Sequence, residues 1–301
     1  MTDAEGAPPG APGPADARAS APTPTDRPAA PTPAPTDRPG APAPSPAATR
    51  RRLTWEIWLV LGVSLLGSAT LAILNLVDRL TIDIPLGDQS ATLNPPANER
   101  PWLDLLYQLR RIAFLALPAF LALYLLSANG RSAARRIGLD LTRPWKDLRD
   151  GVVLAALVGI PGLGVYAIGR ALGITVEVRA SGLDGIWWTV PVLILAALAN
   201  ALVEEVVVVG YLAERLRELR WQVPAILVVS ALLRGSYHLY QGPGMAIGNV
   251  AMGVLFAWYY LSPRWGHRVL PLVIAHTLID VVAFVGYQLL PEAWLTALGL
   301  A

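Results

Sequence analysis

The sequence predicts an all-α polytopic membrane protein of about seven transmembrane helices, preceded by a disordered Pro/Ala-rich N-terminal tail. Three observations carry this reading. Mean hydropathy over the chain is +0.46, although the first fifty residues are polar and Pro-rich. Several apolar runs approach or exceed the roughly 20 residues that cross a bilayer. Basic residues gather in alternate loops, as cytoplasmic segments do. The apolar runs are continuous rather than alternating, which argues against a β-barrel.

Residues Met1 to about Ala48 consist largely of Pro, Ala, Thr, Asp and Gly, with TDRP repeated at Thr25–Pro28 and Thr36–Pro39. Such a stretch cannot bury enough apolar surface to offset its ordering entropy. It reads as a solvated spacer. No secretory signal is visible, since the first apolar run begins only near Trp55.

Arg50, Arg51 and Arg52 precede the first span, Trp55–Leu76, and a mixed-charge loop, Val77–Arg100, follows it. The second span is Leu103–Leu126, with Arg110 and Arg111 in its first turns. The loop Ser127–Asp150 carries Arg131, Arg135, Arg136, Arg143, Lys146 and Arg149. The third span, Gly151–Leu172, is loosened by Pro161, Gly162 and Gly164. A fourth begins near Ile186 and runs into an amphipathic stretch, Leu212–Leu219. The fifth, Val223–Tyr240, ends at Gln241-Gly242-Pro243-Gly244. The sixth is Met245–Leu261 and the seventh Val269–Leu290. The charge alternation places the N-terminus in the cytoplasm and the C-terminus outside. A net charge of +2 gives no reason to expect nucleic acid, and the absence of cysteine excludes disulfides and thiol chemistry. The expected partners are the lipid bilayer and a membrane-associated peptide or protein.

The fourth span contains two adjacent carboxylates, Glu204 and Glu205, in an otherwise apolar run. Ionisable groups at such depth are costly, face a bundle interior and mark function. The fifth span carries Arg234 and His238, the seventh His276 and Asp280, each pair four residues apart and so on one helix face. Asn200 stands in the same relation to Glu204. Asn200 and Asn249 are expected to hydrogen-bond between helices. Glu204 and His238 are nearly equidistant from the turn at Arg220–Trp221, roughly 24–26 Å along their helices, so they should face each other. His276, roughly 16 Å past the Gly266 turn, should fall about 9 Å short of them unless the first hairpin projects further.

A buried carboxylate beside an imidazole suits a general base that activates water. A second imidazole can donate to an oxyanion, and Asp280 can fix the His276 tautomer. The same groups are ordinary ligands for a divalent cation such as zinc, with Glu204, His238 and His276 the natural donors. Three bland readings compete: a structural Glu–Arg234 ion pair, a histidine that merely hydrogen-bonds between helices, and a proton relay in a transporter. Several costly groups on successive spans favour chemistry, and the lack of an internal repeat speaks against a transporter.

The ordered set resembles the CPBP family of CAAX-processing and bacteriocin-processing (Abi-type) intramembrane proteases. Its pattern is Glu-Glu-x-x-x-Arg, then Phe-x-x-x-His, then His-x-x-x-Asn/Asp. Glu204 and Glu205 match the first motif, His238 the second, and His276 with Asp280 the third. The motif arginine falls on Val209 and the motif phenylalanine on Arg234, so Arg234 is expected to replace the lost charge partner of Glu205. The resemblance implies an intramembrane endopeptidase, glutamic or metal-dependent, in a bacterial plasma membrane. Its site would have Glu204 as base with His238, His276 and Asp280 at the oxyanion, and Glu205 orienting. The resemblance covers roughly Ile186–Leu290, and with composition and hydropathy it divides the chain into three expected regions: a disordered Pro/Ala-rich cytoplasmic tail over 1–50, N-terminal transmembrane helices over 51–185 and a CPBP-like catalytic helical core over 186–301. A non-catalytic adaptor or immunity-type protein on the same fold is the alternative.

Overall fold

A computed structural model describes residues 45–127, 132–179 and 186–286. The tail up to residue 44, Arg131 and the end of the seventh span from 287 lie outside them. Helix α1 is continuous over Pro46–Thr81, with a π-helical turn at Gly62–Leu66. It starts well before Trp55 because Ser45 caps it, accepting a hydrogen bond from the Ala48 amide at 3.2 Å, and Pro46 occupies its first position. Arg50–Arg52 therefore lie exposed on helical turns.

The remaining helices are α2 (Pro101–Leu126), a single short turn α3 (Ala133–Arg136), α4 (Pro144–Ala171), α5 (Thr189–Glu218), α6 (Val223–Tyr237), α7 (Pro243–Leu261) and α8 (Leu270–Val281). A π-helical turn, Val282–Gly286, continues α8. Five of these (α1, α2, α4, α5 and α7) are long and apolar enough to cross a membrane; α6 and α8 are shorter apolar helices. The chain is an all-α integral membrane protein. Two three-residue strands, β1 (Ser90–Thr92) and β2 (Glu177–Arg179), pair in parallel, with Ala91 opposite Val178. These tie together two connections that the sequence presents only as loops between spans.

Helix α5 is the axis of the bundle. Most of its span is buried, packed by α2, α6, α7 and α8, whereas α2 and α4 turn most of their length outward. The outward faces carry large apolar side chains such as Phe114, Phe120, Ile160 and Leu163, as a lipid-facing surface requires. Helices α6 and α7 approach closely because small residues line their contact. A Cβ on Gly253 would lie 2.8 Å from the Ala231 Cα, and one on Gly235 would lie 2.4 Å from the Val250 Cγ2.

The amphipathic end of α5 is not a free projection. Arg215 is buried, donating to Glu56 on α1 at 2.7 Å, to Glu218 at 2.9 Å and to the Leu125 carbonyl at 2.7 Å. Arg136 reaches Glu214 and Glu218, and Tyr260 donates to Glu214 at 3.2 Å. At the start of α8, Arg268 is clamped by Asp147 and Asp140, while the Val269 and Leu270 amides donate to the Ile137 and Gly138 carbonyls. Gly138 sits at φ 65° against the Arg268 backbone, where a Cβ would come within 2.6 Å of its Cα. Asn249 bonds the Met245 carbonyl within its own helix at 3.0 Å, contrary to its expected inter-helix role.

Candidate active site

The polar residues of α5, α6 and α8 converge. Glu204 and Glu205 open a π-helical segment, Glu204–Tyr211, inside α5. Such segments depart from the i−4 ladder and recur at functional sites. One carbonyl of this stretch, Val208, accepts from Ser230 on α6 at 2.9 Å. Gly210 lets the stretch pack against Ile137 and Val269, whose methyl groups lie 3.1 and 3.2 Å from where its Cβ would stand, closer than ordinary contact.

Arg234 on α6 is fully buried and forms an ion pair with Glu205. Its guanidinium also lies 3.8 Å from Glu204 and 5.3 Å from the Phe256 ring centroid. His276 on α8 closes the other side, its Nδ1 2.7 Å from the Glu205 carboxylate. The shortfall computed for His276 does not occur. Part of the reason is that i→i+5 winding puts more residues into each turn, so Glu204 and Glu205 climb less from the hairpin than α-helical rise implies.

Glu204 and His238 face each other as the hairpin arithmetic requires, with His238 Nε2 4.0 Å from Glu204 Oε2. That separation is too long for a direct hydrogen bond. His238 is not inside the helix but caps it, the helix ending at Tyr237. Neither of its ring nitrogens has a hydrogen-bond partner among the described residues. Asp280 lies 3.6 Å from His276 Nε2 and accepts from Asn200 Nδ2 at 3.4 Å. The residue that fixes the His276 ring is thus Glu205, at hydrogen-bond distance, rather than Asp280.

Exposure divides the cluster into a floor and a rim. The Glu205 and Arg234 side chains are 0% exposed and His276 6%, while Glu204 is 11% exposed and His238 and Asp280 are each 18% exposed. Glu205 and Arg234 are sealed from solvent, so direct contact with water or a substrate falls to the other four side chains.

Tyr237 joins the cluster although it belongs to none of the three motifs. It is buried, and its hydroxyl donates to Glu204 Oε2 at 2.8 Å. The signal was present: Tyr237 follows Arg234 by three residues and so shares its helix face.

Donor atoms of Glu204, Glu205 and His276 lie within 4.8 Å of one another, the spacing of a cation site, and His238 stands outside that cluster. The charge pattern does not suit a cation. Glu205 Oε1 is shared by Arg234 and His276 Nδ1, leaving Oε2 without a hydrogen-bond partner among the described residues, and Arg234 already supplies the positive charge between the two carboxylates. A divalent ion would have to displace a fully buried guanidinium or share the site with it.

Residues 186–282 match the family model described as type II CAAX prenyl endopeptidase Rce1-like. No curated protein and no solved structure gives a match to the chain. The matched segment contains α5, α6, α7 and α8, and with them every residue of the buried cluster. Residues 186–282 therefore carry an Rce1-like domain of the CPBP/CAAX-protease family of intramembrane endopeptidases.

Proposed function

We propose that this chain hydrolyses a peptide bond of a membrane-associated or prenylated protein with a water activated by Glu204 and His238. The observation that carries the reading is the convergence of two glutamates, two histidines and an aspartate from three helices into one intramembrane cluster whose rim is Glu204, His238 and Asp280. Glu204 Oε2 is held by Tyr237, while Oε1 has no hydrogen-bond partner among the described residues. In this reading the water binds at that free oxygen, and His238, whose Nε2 lies 4.0 Å from Oε2, is the second group on the rim. Glu204 takes a proton from the water as its oxygen adds to the scissile carbonyl, and returns the proton to the departing amine as the C–N bond breaks.

His276 and Asp280 serve the oxyanion side. With Nδ1 donating to Glu205, the second ring nitrogen is the donor when the imidazole carries both protons, and Asp280 supplies a nearby counter-charge. Glu205 and Arg234 hold the ring and neutralise the floor. The basic segments favour a cytoplasmic N-terminus under the positive-inside rule, in keeping with the expectation of a bacterial plasma membrane protein.

The test compares membranes bearing wild-type protein with membranes bearing equal amounts of Glu204→Ala, scored by proteomics for new termini near the bilayer. Cleavage sites found with wild type alone are expected, and they would identify the substrate. Identical peptide sets at equal abundance would reject proteolysis in favour of an adaptor role.

A further inference from the structure

Glu204 has no carboxylate-orienting neighbour on its own helix, yet a working base must present one oxygen in a fixed direction. General-base catalysis is sensitive to such placement, since a displacement of about 1 Å costs on the order of 100-fold. Three groups surround Glu204 Oε2: the Tyr237 hydroxyl at 2.8 Å, the Arg234 guanidinium at 3.8 Å and His238 Nε2 at 4.0 Å. Only the first is within hydrogen-bond distance. Arg234 Nη2 is paired with Glu205, so among the described residues Tyr237 is the group that hydrogen-bonds the Glu204 carboxylate and fixes its rotation.

The tyrosine is itself well held. It ends α6, is buried, and its ring lies 4.9 Å from that of His238 at an interplanar angle of 45°. One side chain therefore contacts both rim groups, hydrogen-bonding one and packing against the ring of the other.

We infer that Tyr237 is a positioning residue: its hydroxyl anchors Glu204 Oε2 so that Oε1 is presented to the water, while its ring sets the position of His238. The role rests on the proteolytic reading, but the contact can be measured without any substrate. The full-length protein in lipid nanodiscs gives an infrared difference spectrum, wild type minus Glu204→Gln, that isolates the Glu204 carboxylate bands. Repeating the subtraction in a Tyr237→Phe background should move those bands, because the variant removes one hydroxyl and leaves the ring.

On a peptide cleaved by wild type alone, Tyr237→Phe should lower kcat by about 10- to 100-fold with KM nearly unchanged. Incorporating 3,5-difluorotyrosine at position 237 keeps the hydroxyl and should restore most of the rate; it also serves if the phenylalanine variant does not fold. Unmoved bands, or moved bands with an unchanged kcat, would overturn the inference. A wild-type protein that cleaves nothing while the bands still move would reject proteolysis and leave Tyr237 as the anchor of Glu204.

Discussion

At the residue scale, the decisive feature is a fully buried arginine facing two carboxylates. An arginine on α6 fills the charge role that Val209, one turn along α5, does not fill. Removing one member of a buried pair leaves an uncompensated charge and costs roughly 3–5 kcal/mol, whereas replacing both by neutral groups costs far less. Arg234→Ala is therefore expected to lower stability by about 3 kcal/mol. Combining Arg234→Met with Glu205→Gln should recover most of that loss. Thermal unfolding of the purified variants measures both. Retention of stability and cleavage by Arg234→Ala would show that Arg234 is not the partner on which Glu205 depends.

At the element scale, the site depends on how closely α6 and α7 approach. Gly253 faces the Ala231 backbone, and its missing Cβ would also stand 3.4 Å from the Arg234 Cβ. Backbone atoms cannot step aside as a flexible side-chain end can. Gly253→Ala should thus cost about 1–3 kcal/mol through overpacking and shift Arg234 relative to Glu205. A lowered melting temperature together with reduced cleavage is the expected result. Unchanged values of both would mean that the two helices have slack. The π-helical segment of α5 belongs to the same scale, because it brings consecutive glutamates to bear on partners from different helices, Tyr237 on α6 and His276 on α8.

At the scale of the whole molecule, the two halves of the bundle are joined by buried charge as well as by apolar packing. The start of α8 is held by Arg268, which reaches Asp140 in the connection before α4 and Asp147 in the first turn of α4. Its hydrogen bonds to Asp147 raise the Arg268 guanidinium above its ordinary value, against the effect of burial. The Asp140 carboxyl lies below the usual carboxylate range, first because Thr142 donates to it and then through Arg268. A depressed carboxylate stays ionised in the folded state where the unfolded chain would already bind a proton. Its stabilisation is present above the unfolded pKa and is lost as pH falls through the folded one. Stability should therefore decline as pH drops below about 4, and Asp140→Asn should flatten that part of the curve. Unfolding midpoints between pH 3 and 6 test this; an equal acid decline in both proteins would place the effect on other carboxylates.

Much of this molecule was decided along the chain. Runs such as Leu103–Leu126 and Met245–Leu261 are apolar over a membrane's thickness, and such a run must satisfy its own backbone, so helices followed directly. The i,i+4 spacing of His276 and Asp280 and the equal distances of Glu204 and His238 from their turn follow from helix geometry alone. The Ser45–Pro46 start of α1 was also written in the sequence, as a cap followed by proline, although the polar composition around it pointed to a tail. The tertiary structure decided what local rules cannot reach. The π-helical winding that lowers the shortfall of His276, the pairing of β1 with β2, and the burial of Arg215 among α1, α2 and α5 arise from contacts between distant segments. So does the choice of Glu205 rather than Asp280 as the partner that fixes His276. Periodicity tells which face a side chain shares along one helix. Which neighbour it meets across the bundle depends on how the helices are rotated and how near their small residues let them come.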